Sequence, residues 1–155
     1  MLKAKMNDIA FRQNNWRAIV GTLIEYRKLP DKQTVYRLLI YSKMIPEIAS
    51  NAVSINKNLA AELIYLKPNR RTIQLEKCFV KVLNSLPEQP VIKDIDVMFN
   101  PAYKVDVMKI LTSAYKQKPY SLIWPGGCSD GKLIYSEEGY RDYKVYEIKD
   151  YDICC

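Results

Sequence analysis

Short apolar runs alternate with helix-period segments along the second half of this 155-residue chain, and that alternation limits the folds open to it. Residues 90–99 form an apolar run carrying two carboxylates, and Asn100-Pro101 turns it. Residues 105–116 follow, with Val107, Ile110, Leu111 and Ala114 at the spacing of one helix face. Residues 120–124 read as a buried strand stopped by Pro125-Gly126-Gly127. A parallel connection must travel back along the sheet, so strand, crossover helix and strand is the pattern that parallel sheets require. The expected fold is α/β, a three-layer, mainly parallel sheet flanked by helices. Residues 132–135 and 143–148 alternate aromatic and aliphatic side chains and predict a C-terminal hairpin at the sheet edge.

The first half is more helical in pattern. Trp16, Ile19, Val20, Leu23 and Ile24 predict an amphipathic helix over 14–28, ended by Leu29-Pro30-Asp31, with Trp16 in the core. Residues 35–41 suit a helix by length and a strand by their β-branched and aromatic content, so both readings stand. Residues 45–50 predict a short helix with Pro46 in its first turn, and residues 52–55 a short strand. Asn56 or Asn58 can cap a helix to about Leu66, which Lys67-Pro68-Asn69 stops. Thr72 begins the most regular helix, with Leu75, Phe79, Val82, Leu83 and Leu86 on one face. Without repeats or a low-complexity linker, residues 1–155 read as one domain, helical over 1–50 and α/β over 51–155.

Composition excludes several chemistries. The absence of histidine removes an imidazole base, Ser-His and Cys-His nucleophile pairs, and His-ligated metal. Cys78, Cys128, Cys154 and Cys155 form no C-x-x-C pair, so neither a zinc site nor a regular disulfide framework is expected. Cys78 sits in an apolar stretch and reads as core, and no role follows for the vicinal pair Cys154-Cys155. No apolar run reaches the roughly 18 residues of a membrane span. Residues 1–10 lack the apolar segment of a signal peptide, so a soluble cytoplasmic protein without membrane contact is expected.

The net charge of +7 is uneven. Residues 1–90 hold 15 Lys plus Arg against 7 Asp plus Glu, and residues 91–155 hold 9 against 10. The adjacent basic pairs Arg70-Arg71 and Arg27-Lys28 are candidate contacts for nucleic acid or an acidic partner, with solvated helix faces as the plainer reading. Tyr135, Tyr143 and Tyr146, together with Tyr140 and Tyr151, form a candidate exposed docking edge, with cross-strand packing as the alternative.

Four segments in order carry a family resemblance. They are Ile55-Asn56-x-x-Leu59-Ala60-x-x-Leu63-x-x-Leu66-x-Pro68-x-x-Arg71, then Ile95-Asp96-x-x-Phe99-x-Pro101 with Asp106 and its helix, then Leu122-Ile123-Trp124-Pro125-Gly126. The last is Gly131-Lys132-Leu133-x-Tyr135-x-x-x-Gly139 with Tyr143 and Tyr146. Residues 55–155 thus resemble BrxF, the small P-loop protein family of BREX phage-exclusion systems. The resemblance implies a P-loop-NTPase-like fold with G-x-x-x-x-G-K-[ST] between its first strand and first helix. There, backbone amides cradle phosphates and a hydroxyl binds magnesium.

The chain departs from the family at that point. Residues 38–55 contain no glycine, and side chains such as Tyr41, Met44 and Ile45 would obstruct a phosphate cradle. Ser42-Lys43 reads as a vestige or as helix surface. Asp94 and Asp96 stand at the Walker-B-like position, at alternate places of one expected strand and so on one face. Lys93 takes the place of the family's metal-binding Asp, so both carboxylates read as vestigial. They are expected to hydrogen-bond neighbouring backbone or to pair with Lys93 or Lys104. The expected function is a non-hydrolysing adaptor in a bacterial antiphage assembly of BREX type, bound to other defence-system proteins, with no catalytic residue, metal or cofactor. One rival is an NTPase subunit binding ATP and magnesium through Arg70, Arg71 or a partner. The other is a DNA-binding module using the basic N-terminal half.

Overall fold

Residues 27–28, 34–35, 37–43 and 45–155 are described in the structure, a computed structural model, and the chain divides into units at 1–37 and 38–155. In the first unit Arg27–Lys28 (β1) pairs antiparallel with Thr34–Val35 (β2), Arg27 opposite Val35. The helix expected over 14–28 therefore does not include Arg27 and Lys28. Its other residues, Trp16 among them, lie outside the described ones.

The second unit opens with Leu38–Tyr41 (β3), which buries Leu38 and Ile40. Over 38–41 the β-branched and aromatic content prevails over length, and residues placed with a helical N-terminal part are a strand. Pro46–Ala49 (α1) is a single helical turn with Pro46 at its start. Val53–Ser54 (β4) leads into Asn56–Ile64 (α2), and Pro68–Asn84 (α3) follows. The long helix thus begins before Thr72. Pro68 cannot continue α2, yet its fixed φ and missing N–H suit the first position of α3. Leu75, Cys78, Phe79, Val82 and Leu83 make its buried face.

Val91–Lys93 (β5) is followed by the 3₁₀ turns Asp96–Phe99 and Pro101–Tyr103, then by Val107–Gln117 (α4). Asp106 caps α4, its carboxylate accepting the Lys109 N–H at 3.2 Å. Ser121–Ile123 (β6), Gly127–Ser129 (β7), Lys132–Tyr135 (β8), Lys144–Glu147 (β9) and Ile153–Cys154 (β10) complete the described strands.

Five strands form a parallel sheet in the order β10-β3-β6-β5-β4. At its centre Ile40, Leu122 and Ile92 lie in register on neighbouring strands, and none is exposed. Helices α2, α3 and α4 pack in succession. The chain runs from β3 across the sheet to β4 and then steps back through β5 and β6. With the usual right-handed crossovers, this order puts the β3–β4 connection on the face opposite α2, α3 and α4. Phe79 is fully buried and meets Tyr120 edge-on with centroids 5.6 Å apart, a contact worth about 1 kcal/mol beyond its area.

The expected edge hairpin is placed differently. Strands β8 and β9 do pair antiparallel, with Leu133 opposite Tyr146, but they belong to a separate three-stranded sheet ordered β9-β8-β7. The edge of the parallel sheet beside β3 is taken by β10, whose Ile153 pairs with Leu38. Asp130 and Gly131, both at positive φ, form the tight turn from β7 to β8. No helix among the described residues is long and apolar enough to cross a membrane.

Candidate functional site

In an open α/β sheet, neighbouring strands whose outgoing connections diverge leave a crevice beyond their carboxyl ends, and ligands bind there. Here that place is between β3, which leads toward β4, and β6, which leads toward β10. Three segments follow the carboxyl ends of strands there: residues 42–43 and 45–52 after β3, residues 94–100 after β5, and residues 124–126 after β6.

The first segment is glycine-free. Ser42 and Lys43 lie in an irregular connection, not on a helix surface, and Lys43 is exposed. Helix α1 has only four residues, and the Ser50 hydroxyl and Asn51 amide both donate to the Glu47 carbonyl at 3.2 Å. Its end is therefore closed by its own side chains.

The second segment corrects the paired-carboxylate expectation. The strand stops at Lys93, because Asp94 adopts φ 57 in the left-handed region, and Asp96 begins a 3₁₀ turn. The two carboxylates therefore do not share a strand face. Asp94 is exposed. Asp96 pairs with neither Lys93 nor Lys104, and its partners are not backbone groups. The Tyr135 hydroxyl donates to Oδ1 at 2.7 Å and the Asn56 amide to Oδ2 at 3.2 Å. Asn56 in turn accepts the Val97 N–H at 2.9 Å, so it joins α2 to the 3₁₀ turn where an N-cap was expected. Burial, then the bond to Asp96, holds the Tyr135 hydroxyl well above its usual pKa.

The third segment is an aromatic wedge. Trp124 is buried, its backbone N–H donates to the Tyr41 carbonyl at 2.9 Å, and its indole N–H donates to the Ile134 carbonyl at 3.0 Å. Phe99 stacks on Tyr135 with centroids 3.7 Å apart and planes 7° apart, and meets Trp124 edge-on at 5.9 Å. Tyr146 closes the group, edge-on to Trp124 at 6.0 Å. Gly126 permits this approach, since a Cβ there would collide with the Ile134 carbonyl.

The expected tyrosine edge is thus mostly interior. Tyr135 and Tyr146 are buried against Phe99 and Trp124, and Tyr143 is half-buried; Tyr140 alone of the series is well exposed. Of the basic candidates, Arg71 is turned onto the end of α2, its Nε donating to the carbonyls of Leu63 at 3.0 Å and Leu66 at 3.2 Å. Arg70 is exposed, while Arg27 and Lys28 form β1 and their side chains lie outside the described ones. Cys78 is in the core, where burial pushes its thiol pKa up. No group of three or more His, Cys, Asp or Glu among the described residues is placed to hold a metal ion.

Sequence reasoning missed Asn56 and Tyr135 as the partners of Asp96. Nothing in their sequence neighbours marks either residue, and the pairs they form span about 40 residues of sequence. The chain matches no protein-family model, no curated protein and no solved structure.

Proposed function

We propose that this protein is a non-hydrolysing adaptor with a degenerate P-loop-like core, working within a bacterial antiphage assembly of BREX type. The observation that carries the non-hydrolysing part is the glycine-free connection after β3, the interior strand after which a phosphate loop would stand. A cradle of consecutive amides requires glycine conformations and the open N-terminus of a helix. This connection has no glycine, and α1 behind it is one turn long with a proline, which lacks an N–H, at its first position.

These residues give little support to the magnesium and ATP that the family resemblance implies. Both Asp96 oxygens are engaged by Tyr135 and Asn56, and Asp94 has turned away from the strand. The P-loop-like reading of the sheet is supported by its order, in which β3 lies beside β6 and next but one to β5, the strand ending near Asp96.

The BREX assignment rests on the resemblance over residues 55–155. It predicts that the chain, purified from its native host at endogenous level, co-elutes with a large ATPase, a methyltransferase and a phosphatase. A chain that elutes alone, or with metabolic enzymes only, overturns it.

A further inference from the structure

Three of the four cysteines, Cys128, Cys154 and Cys155, lie together. Cys154 ends β10 in register with Leu39 of β3, and Cys155 is one residue further toward the carboxyl ends of the strands. On the other side of β3, β6 leaves the sheet at that end. The Trp124 N–H donates to the Tyr41 carbonyl at 2.9 Å, and the chain turns through Gly126 into β7, which carries Cys128. Cys128 and Cys155 are exposed, and Cys154 is half-buried. The Cys155 thiol pKa is pushed up to about 11, by burial first and then by the thiols of Cys128 and Cys154 beside it. None of the four cysteines is in a disulfide, and Cys78 is buried on α3.

One pairing suits these three best. Adjacent Cα atoms are about 3.8 Å apart, less than the roughly 4.4–6.8 Å that an unstrained disulfide spans, so a bond between Cys154 and Cys155 would be distorted. Of those two, Cys155 is the exposed one, and Cys128 across from it is exposed as well. A metal would need thiolates, which burial disfavours, and no group of three ligands among the described residues is placed to hold one. A disulfide is neutral and carries no such penalty.

We propose that Cys128 and Cys155 are a dithiol pair that closes reversibly to a disulfide and so fastens the edge strand β10 to β7. Strand β10 is two residues long and is bonded to β3 alone, so a covalent tie changes how firmly that edge is closed. The oxidant is a small disulfide of the glutathione type. The Cys128 thiolate attacks one of its sulfurs and releases one glutathione thiolate, because Cys155 is the thiol held protonated. Cys155 then gives up its proton, attacks the Cys128 sulfur of the mixed disulfide and displaces the second glutathione. The two protein thiols lose two electrons and two protons, and one glutathione disulfide becomes two thiols. The bond closes a ring of about 28 residues and restricts the unfolded chain. This does not depend on the adaptor reading.

The test equilibrates the full chain in glutathione buffers from reducing to oxidising and blocks remaining thiols with iodoacetamide. The monomer fraction is then digested with trypsin, without reduction, for mass spectrometry. The expected product joins the tryptic peptide of residues 117–132 to that of residues 150–155, through Cys155. Cys128→Ser and Cys155→Ser should each abolish it, and Cys154→Ser should retain it. Oxidation should raise the thermal midpoint by about 5 °C or more in the wild type and in Cys154→Ser, and leave it unchanged in the other two. Excess dithiothreitol should reverse both effects. Thiols that all persist in the most oxidising buffer, a bond between Cys154 and Cys155, or bonds only between molecules would overturn the proposal. So would a Cys128–Cys155 bond that leaves the thermal midpoint where it was.

Discussion

Asp96 shows how one residue's surroundings decide its chemistry. A carboxylate at the end of a central strand is a natural magnesium ligand, but here Tyr135 and Asn56 each bind one of its oxygens. Hydrogen bonds to a charged group contribute about 1.5–3 kcal/mol, and Tyr135→Phe should cost about 1–3 kcal/mol in urea denaturation. A change below measurement error would show that the bond is dispensable. Tyr120, Tyr135 and Tyr146 all have hydroxyl pKa values raised first of all by burial. Since the folded values exceed the unfolded ones, the stability tied to them is intact below about pH 10 and falls as pH rises toward the folded values. Unfolding free energy should therefore drop steeply above about pH 10, and less steeply in Tyr135→Phe. A pH profile that is flat to about pH 11 would contradict this.

At the scale of elements, sequence periodicity located most helices, and missed some boundaries for identifiable reasons. The apolar stripe of α3 was legible from Leu75, Phe79, Val82 and Leu83, whereas its start at Pro68 was hidden because proline both ends one helix and begins another. Strand β5 ends early because Asp94 takes a left-handed conformation, which an alternation of apolar and acidic residues does not reveal. Arg71 was legible as a basic residue but not as the group that closes α2. Its guanidinium lies against the carbonyls of Leu63 and Leu66 at the C-terminal end of α2, where a positive charge also suits the helix dipole. Arg71→Ala should lower stability by about 1–2 kcal/mol, while Arg70→Ala, at an exposed position, should leave the thermal midpoint unchanged. Equal effects from the two substitutions would contradict the distinction.

For the whole molecule, alternation of strand and helix foretold a parallel sheet flanked by helices, and five parallel strands are present. Their order was not legible, because it depends on which way each crossover travels. Nor was the closing of the sheet edge by Ile153 and Cys154, a strand too short to carry a periodic pattern. The aromatic residues near the end were read as an edge, yet Tyr135 and Tyr146 pack on Phe99 and Trp124, contacts between residues distant in sequence. What the sequence did disclose was the lack of glycine between residues 38 and 55, which take in β3 and the connection that follows it. The proposed function requires that this end of the sheet hold no nucleotide. Isothermal titration of ATP with magnesium into the full chain tests it most directly. No saturable heat is predicted, and binding tighter than about 100 μM, about −5.5 kcal/mol, would contradict the account.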